Sequence, residues 1–299
     1  MNRWWIYQQE RFPLLAHGPL IAAFSASAVG YSALLRGGRP AALSFGVAFL
    51  GSLGSFLLLR IADEFKDAEE DARYRPYRPV PRGLVQLREL AAIGVAVALL
   101  QLLLALSVGW PLVGLLAVTW AYFLLMSREF FARTWLKARP VAYLFSHMLI
   151  MPLIDWFATG CDWVRAGASM PPGLFWFLAA SFCNGIVIEL GRKIRAPGQE
   201  EPGVETYTAL WGRPAAVAAW LAALVATLGC ALAAADRIAF VVPLAAVLAG
   251  LLVVAAGVGI RFVRTPRPGL ARGIEACSGG WTLALYLTLG VVPLLLGRT

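Results

Sequence analysis

Apolar residues in this chain come in long unbroken runs, not at the alternating or 3.6-residue intervals of half-buried surfaces. A helix of about 20 apolar residues spans the ~30 Å hydrocarbon layer of a bilayer. Nine such runs occur, at 13–35, 40–60, 90–108, 110–126, 140–158, 171–191, 213–235, 240–260 and 274–296. They predict an all-α polytopic membrane protein of nine transmembrane helices, because in lipid a helix satisfies its own backbone hydrogen bonds. The connecting segments are short, so residues 1–299 read as a single intramembrane domain. The two longest connections, 61–89 and 192–212, follow the second and sixth runs. Their spacing suggests a weak internal repeat of runs 2–5 and runs 6–9.

Composition agrees. Hydrophobic residues make up 60% and charged residues only 14%, where a soluble domain carries about 25% charged. Residues 1–11 lack the apolar core and small-residue cleavage site of a secretory signal, so the first run is expected to direct insertion. Cys161, Cys183, Cys230 and Cys277 are scattered in or beside the runs and read as small buried hydrophobes.

The net charge of +9 could point to nucleic acid, but its distribution excludes that. With the N-terminus in the cytoplasm, cytoplasmic segments hold 21 of the 26 basic residues. The other side holds Arg36, Arg39, Arg165, Arg237 and Arg298. This is the positive-inside signature. It predicts a protein of a bacterial inner membrane, with the N-terminus and both long loops cytoplasmic and membrane lipids as neighbours.

The densest acid in the chain is Asp63-Glu64-Phe65-Lys66-Asp67-Ala68-Glu69-Glu70-Asp71. On a helix, Asp63, Asp67 and Asp71 stack along one face at i, i+4 and i+8. Like charges so placed repel unless a cation lies between them. Mg²⁺ suits the role, since one or two carboxylates hold it while substrate phosphates share it. Arg73, Arg75, Arg78 and Arg82 follow. Carboxylates for a metal beside guanidiniums for phosphate point to a diphosphate site at a membrane surface. In Arg78-Pro79-Val80-Pro81-Arg82-Gly83 two prolines fix the backbone and a glycine permits a tight turn.

These residues resemble the first motif of the UbiA superfamily of intramembrane prenyltransferases. That motif reads Asn-Asp-x-x-Asp-x-x-x-Asp, then Arg-Pro-x-x-x-Gly. Here Asp67 and Asp71 match, Asp63 stands for the Asn and Glu64 for the first Asp, and Arg78, Pro79 and Gly83 complete the pattern. The second motif, Asp-x-x-x-Asp with a Gly-x-x-Thr-x-x-x-x-x-Gly tail, keeps only its tail, as Gly203, Thr206 and Gly212. Its acid pair is replaced by Glu189 and Lys193, with Arg192 between them.

The resemblance implies nine helices around a central apolar chamber and transfer of an isoprenoid from a prenyl diphosphate to an aromatic or lipid acceptor. It implies Mg²⁺ on Asp63, Asp67, Asp71 and Glu189, with Asp67, Asp71 and Lys193 catalytic. Glu64, Arg78, Arg82, Asn184, Arg192 and Lys193 would bind substrate, joined by Lys137 from the loop after the fourth run. There Lys193 and Arg192 would supply the positive charge that relatives obtain from a second metal. His147, in mid-span, would serve the acceptor. Asp155 is expected near the far membrane surface in contact with solvent, and His17 sits near the start of the first run. Two enzymatic alternatives are terpene cyclisation and phosphoribosyl transfer to a polyprenyl phosphate. A non-enzymatic alternative is a cation or lipid transporter, although transporters place their sites near the bilayer midplane.

Overall fold

The computed structural model describes residues 2–297, so Arg298 of the topology count lies outside the described residues. In chain order the helices are α1 (Arg3–Arg11), α2 (Leu14–Arg36), α3 (Ala42–Lys66), α4 (Ala68–Tyr74), α5 (Leu87–Val108), α6 (Trp110–Ser127), α7 (Arg133–Lys137), α8 (Pro140–Met148), α9 (Ile150–Trp163), α10 (Leu174–Arg192), α11 (Tyr207–Trp211), α12 (Arg213–Asp236), α13 (Val241–Arg264), α14 (Pro268–Tyr286) and α15 (Val292–Leu295). Among the described residues there is no strand, and nine helical segments are long and apolar enough to cross a membrane.

These nine match the nine apolar runs. Two differences have local causes. The fifth span breaks at Leu149 into α8 and α9. Pro152 lacks an N–H and its ring crowds the carbonyl four residues back, at Met148. The last span passes from α14 through a π-helical turn at Leu287–Val291 into α15, where Pro293 has no N–H for the carbonyl of Leu289.

Packing falls into two four-span groups, α3–α5–α6–α9 and α10–α12–α13–α14, with α2 between them against α3, α9 and α14. This is the division that the spacing of the two long loops suggested. The seam of α2 depends on glycine. A Cβ on Gly290 would lie 2.2 Å from the backbone oxygen of Ser27, and one on Gly30 would lie 2.4 Å from that of Gly290. Any side chain at either position would force the backbones apart.

Most of α5 faces outward. It turns Leu90, Gly94, Gln101 and Ala105 inward. The Gln101 amide donates to the Gly51 carbonyl at 2.8 Å and the Ser55 hydroxyl at 2.9 Å, and its oxygen accepts from the Trp120 indole at 3.1 Å. One polar residue in an otherwise oily span thus ties α3, α5 and α6 together.

The helix α1 has no counterpart among the apolar runs. Asn2 caps it by accepting from the Trp4 N–H at 3.0 Å. It lies against the 61–89 loop, with Tyr7 buried among Ile61, Val85 and Leu90.

Candidate active site

The first motif stands where α3 leaves the membrane. The expected aspartate ladder is interrupted there. α3 stops at Lys66, Asp67 adopts φ −94° and ψ 4°, and α4 starts at Ala68. The break separates the fates of the acids. Asp63 is partly exposed and faces Arg60 at 3.5 Å. Asp67 has no ion pair or side-chain hydrogen bond among the described residues. Burial, then the neighbouring charges of Asp63 and Asp71, push its carboxyl up, against the pull of Lys66 and Arg75. Asp71 is buried, with Arg75 on one oxygen and Arg78 on the other, each at 2.7 Å. Those contacts fold the Arg-Pro turn back onto α4. Arg82 reaches Glu10 of α1 at 2.8 Å.

Glu64, expected to bind substrate, instead points away into the protein. It is 1% exposed and ion-paired to Arg11 of α1. Lys137, also expected at the substrate, reaches Glu70 at 2.7 Å, with Arg133 joining at 3.3 Å. The Lys137 hydrogen bond holds the Glu70 carboxyl below its ordinary range.

The second motif closes α10. Glu189 shares its oxygens with Arg192 at 2.6 Å and Lys193 at 2.9 Å. Lys193 also lies 5.8 Å from the Tyr207 ring. Beyond it, Thr206 caps α11 by accepting from the Ala209 N–H at 3.1 Å. The two long loops meet. Gly203, at φ +74°, seats so closely on the Tyr74 ring that a Cβ would come within 2.7 Å of it, and the Tyr77 hydroxyl donates to Glu201 at 3.0 Å.

Between the motifs opens a cavity of about 300 Å³. Its walls are apolar, with Ile21 and Phe24 of α2, Phe56 of α3, and Met148 and Met151 from the α8–α9 break. At its mouth stand Arg60 and Asp63 from one station and Glu189 and Arg192 from the other. Asn184 lines the wall, its oxygen accepting from the Thr282 hydroxyl at 3.1 Å. Deeper, Tyr286 packs edge-on to Phe24 with ring centroids 5.1 Å apart.

Two expected positions are corrected. Asp155 does not meet solvent. It is fully buried, accepting from the Tyr286 hydroxyl at 3.1 Å. His147 does not line the cavity. It stacks on Tyr143 at 3.8 Å and faces Glu129 at 3.3 Å. Glu129 also takes Lys66 at 2.7 Å. Sequence reasoning missed this cluster and also Arg60, whose signal was an arginine at the end of an apolar run, three residues before Asp63.

The Glu129 cluster offsets strain. Glu129, Phe130 and Phe131 all have φ between 50° and 57°, a left-handed turn that costs roughly 1–2 kcal/mol per residue without glycine. Burial acts to raise the Glu129 carboxyl, but His147 and Lys66 outweigh it and bring it down to about 2 from 4.5. A lowered acid adds stability above its ordinary value, and that stability is lost as pH falls toward the folded value. Glu129→Gln is therefore expected to lower the thermal midpoint at pH 7, with the gap to wild type closing below about pH 4.5. A gap that stays constant through that window would mean that Glu129 holds the turn by packing alone.

Among solved structures, the apo structure of a UbiA homolog from Aeropyrum pernix K1 superposes with a TM-score of 0.69 at 16% identity, covering 89% of this chain and 96% of that one. A structure of digeranylgeranylglyceryl phosphate synthase superposes with a TM-score of 0.62 at 12% identity, covering 97% and 98%. At these identities both likenesses speak for the fold. No curated protein matches the chain by sequence. The model of the UbiA prenyltransferase family matches residues 22–271, a span that takes in both motif loops, seven membrane-crossing segments whole and about two-thirds of α2. The chain belongs to the UbiA prenyltransferase family, integral membrane enzymes that transfer prenyl groups.

Proposed function

We propose that this protein carries out Mg²⁺-dependent transfer of an isoprenoid group from a prenyl diphosphate to an aromatic or lipid acceptor within the membrane. One observation carries the reading: Asp63 of the first motif and Glu189 and Arg192 of the second line the mouth of one apolar cavity. A diphosphate needs the charged rim and an isoprenoid tail the apolar walls.

The donor set fits a metal at one station. Asp63 has a single 3.5 Å partner and Asp67 has none, while Asp71 and Glu189 already share their oxygens with cations. Among the described residues no three acids, histidines or cysteines gather as a metal cage; a Mg²⁺ ion shared with phosphate oxygens needs only one or two carboxylates. Asp63 and Asp67 would hold the ion, whose charge offsets that building on the leaving diphosphate.

The chain's own groups do the rest. Arg60 and Arg192 at the rim, with Lys193 behind Glu189, stabilise the same negative charge as the allylic C–O bond breaks. Cations fixed in advance favour the transition state over the ground state. Arg78 and Arg75 hold Asp71, so they support the turn from which Asp67 presents its carboxylate. The apolar walls keep water from the allylic cation. The basic excess on the motif side supports a cytoplasmic mouth.

The test is turnover of C1-labelled farnesyl or geranylgeranyl diphosphate by the protein in phospholipid vesicles, with Mg²⁺ or EDTA, plus a phenolic acceptor or host lipid extract. Expected are Mg²⁺-dependent release of diphosphate and a labelled conjugate of the acceptor. Cleavage that gives only cyclic hydrocarbon would replace transfer with cyclisation. An intact donor under every condition would overturn the reading.

A further inference from the structure

We infer that His17 is the group that takes the proton the acceptor loses as it attacks the isoprenoid, an inference that rests on the prenyl-transfer reading above. His17 lies three residues inside the first residue of α2, Asp63 three residues before the last of α3, and Glu189 three residues before the last of α10. At 1.5 Å per residue each stands about 4.5 Å from its own helix end. All three line the same cavity. Each lies within one turn of the helix end nearest the motif loops, so a diphosphate held by Asp63 and Glu189's neighbours would present its C1 carbon to the cavity that His17 lines.

The other polar groups at the cavity are committed or unsuited. Arg60 and Arg192 are donors only. Both oxygens of Glu189 are in ion pairs within 2.9 Å. Asp63 belongs to the proposed metal station. Asn184, Thr282 and Tyr286 are an amide, an alcohol and a phenol, none of them a proton acceptor near neutral pH. The His17 side chain makes no hydrogen bond or ion pair among the described residues. Its ring rests edge-on to Phe12 with centroids 5.2 Å apart, so aromatic packing orients it and leaves its nitrogens available. An imidazole is also the side chain best matched to proton transfer near pH 7. The chain's other histidine, His147, is buried against Glu129 and Tyr143 away from the cavity.

The step balances. The C1–O bond breaks and its electron pair leaves with the diphosphate. A lone pair or π pair of the acceptor forms the new bond to C1. The proton on that acceptor atom passes to a ring nitrogen of His17 and then to water at the mouth.

Two measurements test this on the full chain in phospholipid vesicles. Diethyl pyrocarbonate followed by mass spectrometry reads the two histidines separately. His17 is expected to be modified and His147 spared, with geranylgeranyl thiodiphosphate, an unreactive donor analogue, protecting His17 several-fold. His17→Gln is expected to bind that analogue within about twofold of wild type yet lose about 10²-fold or more of kcat for transfer to acceptors in host lipid extract. Analogue binding also certifies that the variant is folded. A His17→Gln protein that binds the analogue and turns over within threefold of wild type overturns the inference and leaves the prenyl-transfer reading standing, as does an unprotected His17. A wild-type protein that neither binds the analogue nor turns over sinks both.

Discussion

Asp67→Asn is expected to lower Mg²⁺-dependent diphosphate release by about 10²–10³-fold, the scale set by removing one preorganised electrostatic group from a reacting site. The change keeps the shape and removes the charge. Among the described residues Asp67 has neither an ion pair nor a side-chain hydrogen bond, and its carboxyl is pushed up by burial and by Asp63 and Asp71. Such a group gains most from a cation placed beside it. The loss should appear as a raised Mg²⁺ requirement as well as a lower rate, with the thermal midpoint little changed. Asp71→Asn should behave differently. It strips the charge that holds Arg75 and Arg78 at 2.7 Å, so it should lower the midpoint and loosen the Arg-Pro turn, visible as faster proteolysis within 75–83. Full activity in Asp67→Asn over a Mg²⁺ titration would remove the acid from the mechanism.

The second large effect is on stability. Arg11→Met is expected to destabilise the protein by about 3–5 kcal/mol, because it leaves Glu64 buried without its partner. Arg11→Met/Glu64→Leu should recover most of the loss, since an apolar pair carries no desolvation cost there. Denaturant titration of the reconstituted protein reads both. The outcome also decides the role of Glu64. A stabilised double variant that keeps its rate shows Glu64 to be the clasp that docks α1 on the motif loop. A double variant that is stable but inactive would return Glu64 to the substrate site, where the motif spacing had placed it.

Glu64 illustrates the boundary between what was legible and what was not. Its place in the motif aligned it with a substrate-facing acid, yet it is an arginine 53 residues earlier that claims it. Lys137 shows the same limit, since its partner Glu70 lies 67 residues away. Asp155 looked like a surface residue from its distance along the span, but it is fully buried, with the Tyr286 hydroxyl, 131 residues away in the chain, donating to it. In contrast, the pairing of Glu189 with Lys193 follows from four-residue spacing on one helix and needed no tertiary information.

The sequence by itself determined the nine spans, the all-α class, the two motif stations and their common side of the membrane. These rest on local, additive quantities: the transfer energy of each run, the charge of each loop, and residues four apart on a helix. Tertiary structure alone decided which carboxylates keep uncompensated charge and which are locked to arginines. It also brought α2 beside both stations, so that His17 and Arg60 share a wall with Glu189. The physical reason is that an ion pair or a cavity wall depends on which helices meet and in what rotation. Lipid-facing runs of leucine and alanine do not encode that choice. It is made by a few close contacts, such as Gly30 on Gly290 and Gln101 across three helices.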